Sequence, residues 1–250
     1  MTEGRRICIV ATAQPLTLPY LLRGVAWYGR VQGTWHYAFR MTDVPDLVDE
    51  VASLEPDGVI LATVQEQVAC EVAELGFPTV NLWHPLRREL APSVRPDDAA
   101  IGSVGAQHLL EQGFEAFAYC GVDTHWSRER ENSFIRTLST EGKACRSIAA
   151  GARTREDRQR LEAWLKGLKK PVAVMCANDA LAARLAGLCQ ALGLEVPRDV
   201  ALLGVDNVEI WCEFADPPIS SVDPNLVRVG HDGSELLDAL IDGAEPPAEP

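Results

Sequence analysis

Basic charge is in short supply in this chain. Lysine and arginine number 23 against 36 aspartates and glutamates, a formal net charge of −13. Duplex DNA is a polyanion whose binding needs clustered cations, so this surface as a whole is a poor nucleic-acid binder. Long apolar runs are missing too, and none approaches the roughly 18 residues of a membrane span. The N-terminal stretch MTEGRRICIVATAQ holds two arginines but no apolar segment long enough for a signal peptide. Seven cysteines are scattered with no C-x-x-C pair and no histidine cluster, which speaks against zinc and against a disulfide framework. Reduced cysteines filling small core spaces fit a cytoplasmic protein. The sequence has no G-x-G-x-x-G, P-loop, G-x-S-x-G or metal-spaced histidine set, and its five histidines are dispersed. Neither an enzyme nor a bound cofactor or metal is expected.

What the chain does have is alternation. Short apolar runs bounded by Gly, Pro or Asp fall at 7–11, 35–39, 58–62, 79–82, 116–120, 172–176 and 200–205, and read as strands covered on both faces. Amphipathic stretches at 18–30, 44–53, 65–75, 99–112, 127–141, 155–168, 180–192 and 225–241 read as helices. Strand–helix alternation of this kind builds right-handed βαβ units and parallel sheets. Seven strands fit two sheets better than one, which gives an α/β fold of two lobes, each a parallel sheet flanked by helices. The change of lobe is expected near 112–115 and the return near 220–224. The lobes would then be 1–112 with 223–243, and 113–222. Residues 244–250, GAEPPAEP with its preceding Gly243, cannot pack and read as a linker or chain end.

Ligands of open parallel sheets bind beyond the carboxyl ends of the strands. The residues that follow strands are therefore the candidates: Ala13 and Gln14 after the first, Asp97 and Asp98 after a short extended piece, Asn178 after VAVMCA, and Asp206 after VALLGV. Asn178 and Asp206 also immediately precede helices, where Asn and Asp are favoured caps, so capping is an alternative for both. Arg130 lies one helical turn before Phe134 and two before Leu138, on an otherwise apolar inward face. Such an arginine needs a ligand or an acidic partner, Asp206 or Asp179. Trp126 begins the same helix and could stack on a sugar face or simply fill the core. Trp83 and His84 could edge the site, with a surface or core role favoured for His84. Trp211 and Phe214 read as packing residues, and the charge run 153–160 as a solvated helix face.

Four segments in order carry a family likeness: SVRPDDAAIGSVGAQHLLEQGF (93–114), AYCGVDTHWSRERENSF (118–134), VMCANDALAARLAGLCQALGLEVPRDVALLGVDN (174–207) and DPPISSV (216–222). Together they resemble the effector-binding domain of the lac-repressor/GalR family, whose fold is shared with periplasmic sugar-binding proteins. The W-S-R-E-R-E-x-x-F run and the GVDN strand end are similar to regulators of the xylose-activator type, which carry an AraC-type DNA-binding tail. No helix-turn-helix occurs at either end, and the family's final strand is missing from the first lobe. The resemblance implies an effector-sensing domain that closes by a hinge on a pentose or other sugar. It implies a homodimer, DNA contact only through a helix-turn-helix domain absent from this chain, and no membrane. Asp206, Arg130 and Asn178 would take the central polar roles. A sugar transporter's solute-binding protein is the alternative with the same fold.

Overall fold

The apolar runs owe their continuity to burial on both faces of a sheet. In Arg5–Ala11 the residues Ile7 and Ile9 belong to one buried cluster while Cys8 and Val10 belong to another, so successive side chains serve opposite helical layers. The computed structural model of the protein describes residues 4–12, 16–33, 35–83 and 91–246.

The chain begins β1 (Arg5–Ala11), α1 (Leu18–Gln32), β2 (Trp35–Met41), α2 (Leu47–Ser53), β3 (Gly58–Ala62), α3 (Glu66–Ala73) and β4 (Thr79–Asn81). It continues α4 (Asp98–Glu111), β5 (Phe117–Val122), α5 (His125–Thr140), β6 (Cys145–Ala150), α6 (Arg155–Gly167) and β7 (Val172–Cys176). The remainder is α7 (Asp179–Ala191), β8 (Val200–Val205), α8 (Glu209–Phe214), β9 (Ser220–Val222) and α9 (Leu226–Ile241). Two units result, residues 1–96 with 225–250 and residues 97–224.

In the first unit four parallel strands run in the order β2-β1-β3-β4, with α9 packed on α1 and on β3 and β4. In the second, five parallel strands run β6-β5-β7-β8-β9. Tyr119, Phe134, Leu138, Leu161, Leu165, Met175 and Leu185 are fully buried around that sheet. Burial of each such side chain contributes about 1.5–3 kcal/mol, which makes this core the main support of whatever the second sheet carries at its edge.

The α/β fold with two parallel sheets is as the alternation implied. The point of crossing differs. The chain changes unit between Pro96 and Asp97, not near 112–115, so α4 lies with the second sheet. Ile101, Ala106 and Leu109 on α4 join the second unit's core, and α4 packs along α5. Two strands escaped the sequence reading. β6 is an edge strand whose side chains are mostly half-buried or exposed, so it lacks the apolar run that marks its neighbours, and β9 has only three residues.

Candidate functional site

The second unit gathers a polar cluster at the carboxyl edge of its sheet, and Arg130 is its centre. Helix α5 places Arg130, Phe134 and Leu138 on its buried face, as the 3.6-residue period requires. Arg130 is only 5% exposed. Its Nε donates to Asp98 Oδ1 at 2.7 Å and its Nη1 to the Ala177 carbonyl at 2.7 Å. Asp206 Oδ1 stands farther off, 3.8 Å from Nη1. The guanidinium carbon also lies 4.7 Å from the centre of the Trp126 ring, one turn back on the same helix. The nearest acidic partner is thus Asp98, and neither Asp206 nor Asp179 takes that place.

Asp98 reaches Arg130 because α4 and α5 nearly touch. A Cβ on Gly102 would sit 2.2 Å from the Arg130 carbonyl oxygen, so only glycine permits the approach. Asp98 is one turn before Gly102 on α4 and is 4% exposed. Its neighbour Asp97 does something different: exposed, it caps α4 by accepting the Ala100 N–H at 2.8 Å. Such caps contribute about 1 kcal/mol. Asn178 likewise caps α7, its Oδ1 accepting the Leu181 N–H at 3.0 Å, which leaves its Nδ2 as the donor it can offer a ligand. Trp126 is half-buried, with core contacts beneath and the Arg130 guanidinium over its ring.

Asp206 is held in an unusual backbone. Its φ is 105° and that of Asn207 is 51°, two consecutive non-glycine residues on the left-handed side. Residues in such conformations cost on the order of 1–3 kcal/mol each and persist where the surroundings enforce them. Here three successive N–H groups are fixed: Asp206 to the Val222 carbonyl at 3.0 Å, Asn207 to Ser221 Oγ at 3.0 Å, and Val208 to Asp179 Oδ2 at 2.8 Å. Ser221 Oγ in turn donates to Asp179 Oδ1 at 2.6 Å. Asp179 fits there because residue 204 is glycine, where a Cβ would lie 2.1 Å from Asp179 Oδ1.

One guanidinium faces the three carboxylates of Asp98, Asp179 and Asp206. Asp206, its side chain 20% exposed, has its carboxyl pushed up to about 7. Burial is the main cause; Arg130 opposes it, and the negative charges of Asp179 and Asp98 add to it. Asp179 is raised as well, again by burial first, against the hydrogen bonds from Ser221 and Val208. The edge therefore combines a half-exposed carboxylate, an amide donor and a fixed cation, a set suited to hydroxyl groups.

Other expectations met different fates. Ala13, Gln14 and His84 lie outside the described residues. Trp83 is half-buried, and its N–H donates to Asn81 Oδ1 at 3.1 Å. Phe214 is not a packing residue: it is 84% exposed on the short α8, which buries none of its side chains. Within the charge run 153–160, Asp157 departs from the solvated face by turning inward to pair with Arg160 and Arg184 at 2.6 and 2.7 Å. The sequence reading passed over a hydroxyl cluster at the carboxyl edge of the first sheet. There Thr12 Oγ1 lies 2.5 Å from Thr63 Oγ1 and accepts from Thr42 Oγ1 at 3.2 Å. Threonine after a strand gives no signal that would have flagged it.

Residues 106–250 match the family model described as a periplasmic binding protein-like domain. The chain belongs to that family. Among periplasmic-binding-protein-like relatives, the xylose operon regulatory protein of Escherichia coli K12 is 26% identical over 263 residues, covering 99% of this chain and 66% of the regulator. The chain thus spans a little under two thirds of that relative's length. The structure of the xylose-binding transcription activator xylR superposes with a TM-score of 0.80 at 22% identity, over all of this chain and 66% of that one. A LacI family transcriptional regulator from Mycobacterium smegmatis gives 0.74 at 21% identity, over 96% of this chain and 91% of its own. The relatives named are transcription regulators. Among the described residues no helix is long and apolar enough to cross a membrane.

Proposed function

We propose that this chain is the effector-sensing part of a transcription regulator and that it binds an uncharged polyol at the carboxyl edge of the second unit's sheet. One observation carries the reading: Arg130, buried and anchored by Asp98 and the Ala177 carbonyl, lies between the residue before Asn178 and the carboxylate of Asp206. The ionised Asp206 would accept effector hydroxyls, Asn178 Nδ2 would donate to a ring or hydroxyl oxygen, and the face of Trp126 away from Arg130 would cover an apolar sugar face. D-xylose is the first candidate, on the names of the regulator and activator to which the chain is similar.

The role is one of binding and not of turnover. Effector binding would shift the balance between two conformations that an attached DNA-binding segment reads. With a net charge of −13, DNA contact is assigned to a segment outside these residues. A homodimer in the cytoplasm completes the proposal, and the seven unpaired cysteines support a reducing compartment.

A thermal-shift screen against aldopentoses, aldohexoses, pentitols and sugar acids tests it. Ligand at a hundred times its Kd stabilises by about 2.7 kcal/mol, so an effector should raise the melting midpoint by several degrees. No response to any neutral sugar, or an equal response from Asp206→Ala, would remove the reading.

A further inference from the structure

We infer that Asp179 and Ser221 are positioning residues of the effector site, bracing the turn that aims the Asp206 carboxylate. The argument starts from the two left-handed residues in a row, Asp206 and Asn207, which follow directly on β8. The β8–β9 ladder ends by pairing Val205 with Val222, and the Asp206 N–H still reaches the Val222 carbonyl. Beyond that point the backbone runs out of strand partners. The next two N–H groups, of Asn207 and Val208, are held by side chains: Ser221 Oγ takes the first and Asp179 Oδ2 the second. Ser221 and Asp179 are themselves joined, since the serine hydroxyl donates to Asp179 Oδ1. One carboxylate at the start of α7 therefore ties the turn after β8 to the strand β9.

Its location explains why β8 carries a glycine. Gly204 lies opposite Ser221 in the ladder, and the space a side chain would need there is occupied by Asp179. Asp179 also acts on Asp206 through its charge, which helps to keep that carboxyl high, while Arg130 acts on both in the opposite sense. The Cys212 thiol, on α8, interacts with Asp179 and Ser221, and Asp98 is the remaining charged group that acts on Asp206. Sequence alone offered Asp179 only as a possible partner of Arg130. The geometry gives it a different task, two residues' worth of backbone in place of a guanidinium.

The inference rests on the effector reading for its binding arm only, so the test has two arms. In the full chain, Ser221→Ala, Ser221→Thr, Asp179→Asn and Gly204→Ala would be compared with wild type. The first arm follows the carboxyl ¹³C and amide resonances of Asp206 through a pH titration without ligand. Asp179→Asn removes a neighbouring negative charge and should lower the Asp206 midpoint; Ser221→Ala should displace the Asp206 and Asn207 amide resonances. The second arm measures D-xylose binding by calorimetry at pH 8. Ser221→Ala should weaken binding about ten-fold, the equivalent of one lost hydrogen bond to a charged group, and Ser221→Thr, which keeps the hydroxyl, should restore most of it. Gly204→Ala should resemble Asp179→Asn. Unmoved Asp206 resonances in both Ser221→Ala and Asp179→Asn would overturn the brace, whatever the sugar result. Displaced resonances with no D-xylose binding in wild type would support the brace and count against that effector. Should Asp179→Asn fail to fold, Ser221→Ala alone decides.

Discussion

Arg130 and Asp98, 32 positions apart in sequence, are joined at 2.7 Å with side chains 6% and 4% exposed. The pair bridges α5 to α4 inside the second unit, beneath the carboxyl edge where Asp206 lies. A buried charge is tolerated only while its partner is present. The effector edge is therefore built on an ion pair that belongs to the fold.

Removal of one partner should be costly. Asp98→Ala leaves Arg130 with the Ala177 carbonyl and the more distant Asp206, and should destabilise by about 3 kcal/mol or more in urea unfolding. The double variant Asp98→Ala with Arg130→Met removes both charges and should recover much of that loss. Equal stability of the single variant and wild type would show that the pair contributes little.

The approach of α4 to α5 is set by Gly102. Gly102→Ala drives a methyl group against the Arg130 carbonyl, which an ideal Cβ would meet at 2.2 Å. Overpacking of this kind costs roughly 1–3 kcal/mol. The midpoint of unfolding should fall accordingly, and sugar binding should weaken with it as Asp98 is drawn away from Arg130. Unchanged values for both would argue that the helices separate freely.

Stability should depend on pH through Asp206. Its folded carboxyl titrates at about 7, above the value near 3.9 of an unfolded aspartate, so between those limits the folded state binds more protons than the unfolded one. This contribution is fully present below about pH 4 and is lost as pH rises through 7; Asp179, raised in the same direction, adds to it. Asp206→Asn should flatten the decline and be more stable than wild type at pH 8, by about 2 kcal/mol after allowance for solvent near the group. Parallel stability curves for the two proteins from pH 5 to 8 would contradict this.

Phe214 offers a contrasting case. Large and apolar, it is nonetheless 84% exposed, so Phe214→Ser should alter unfolding free energy by less than about 0.5 kcal/mol. A loss of several kcal/mol in dilute monomer would mean that the ring is packed.

These residues also show how far a sequence can be read. β1, β3, β7 and β8 were legible because both faces of each are buried and the chain must be apolar throughout. β6 was hidden because an edge strand with polar neighbours loses that signature. Arg130 could be placed on an inward face because Phe134 and Leu138 share its helical phase. Its partner could not be named, since adjacent aspartates 97 and 98 are identical by chemistry and differ only in which way the first turn of α4 points them. The brace of Asp179 and Ser221 was beyond reach for the same reason. It spans 42 positions, and its purpose is visible only once the positive φ of Asp206 is known.

The central claim is that the Arg130–Asp206 edge grips a neutral, hydroxyl-rich effector. Calorimetric titration of a panel of aldopentoses and aldohexoses, D-xylose first, into wild type and Asp206→Ala at pH 8 tests it most directly. Saturable binding of at least one sugar to wild type is expected, with no measurable heat from a variant that is still folded. Equal affinity in the two proteins, or silence from wild type across the panel, would contradict the account.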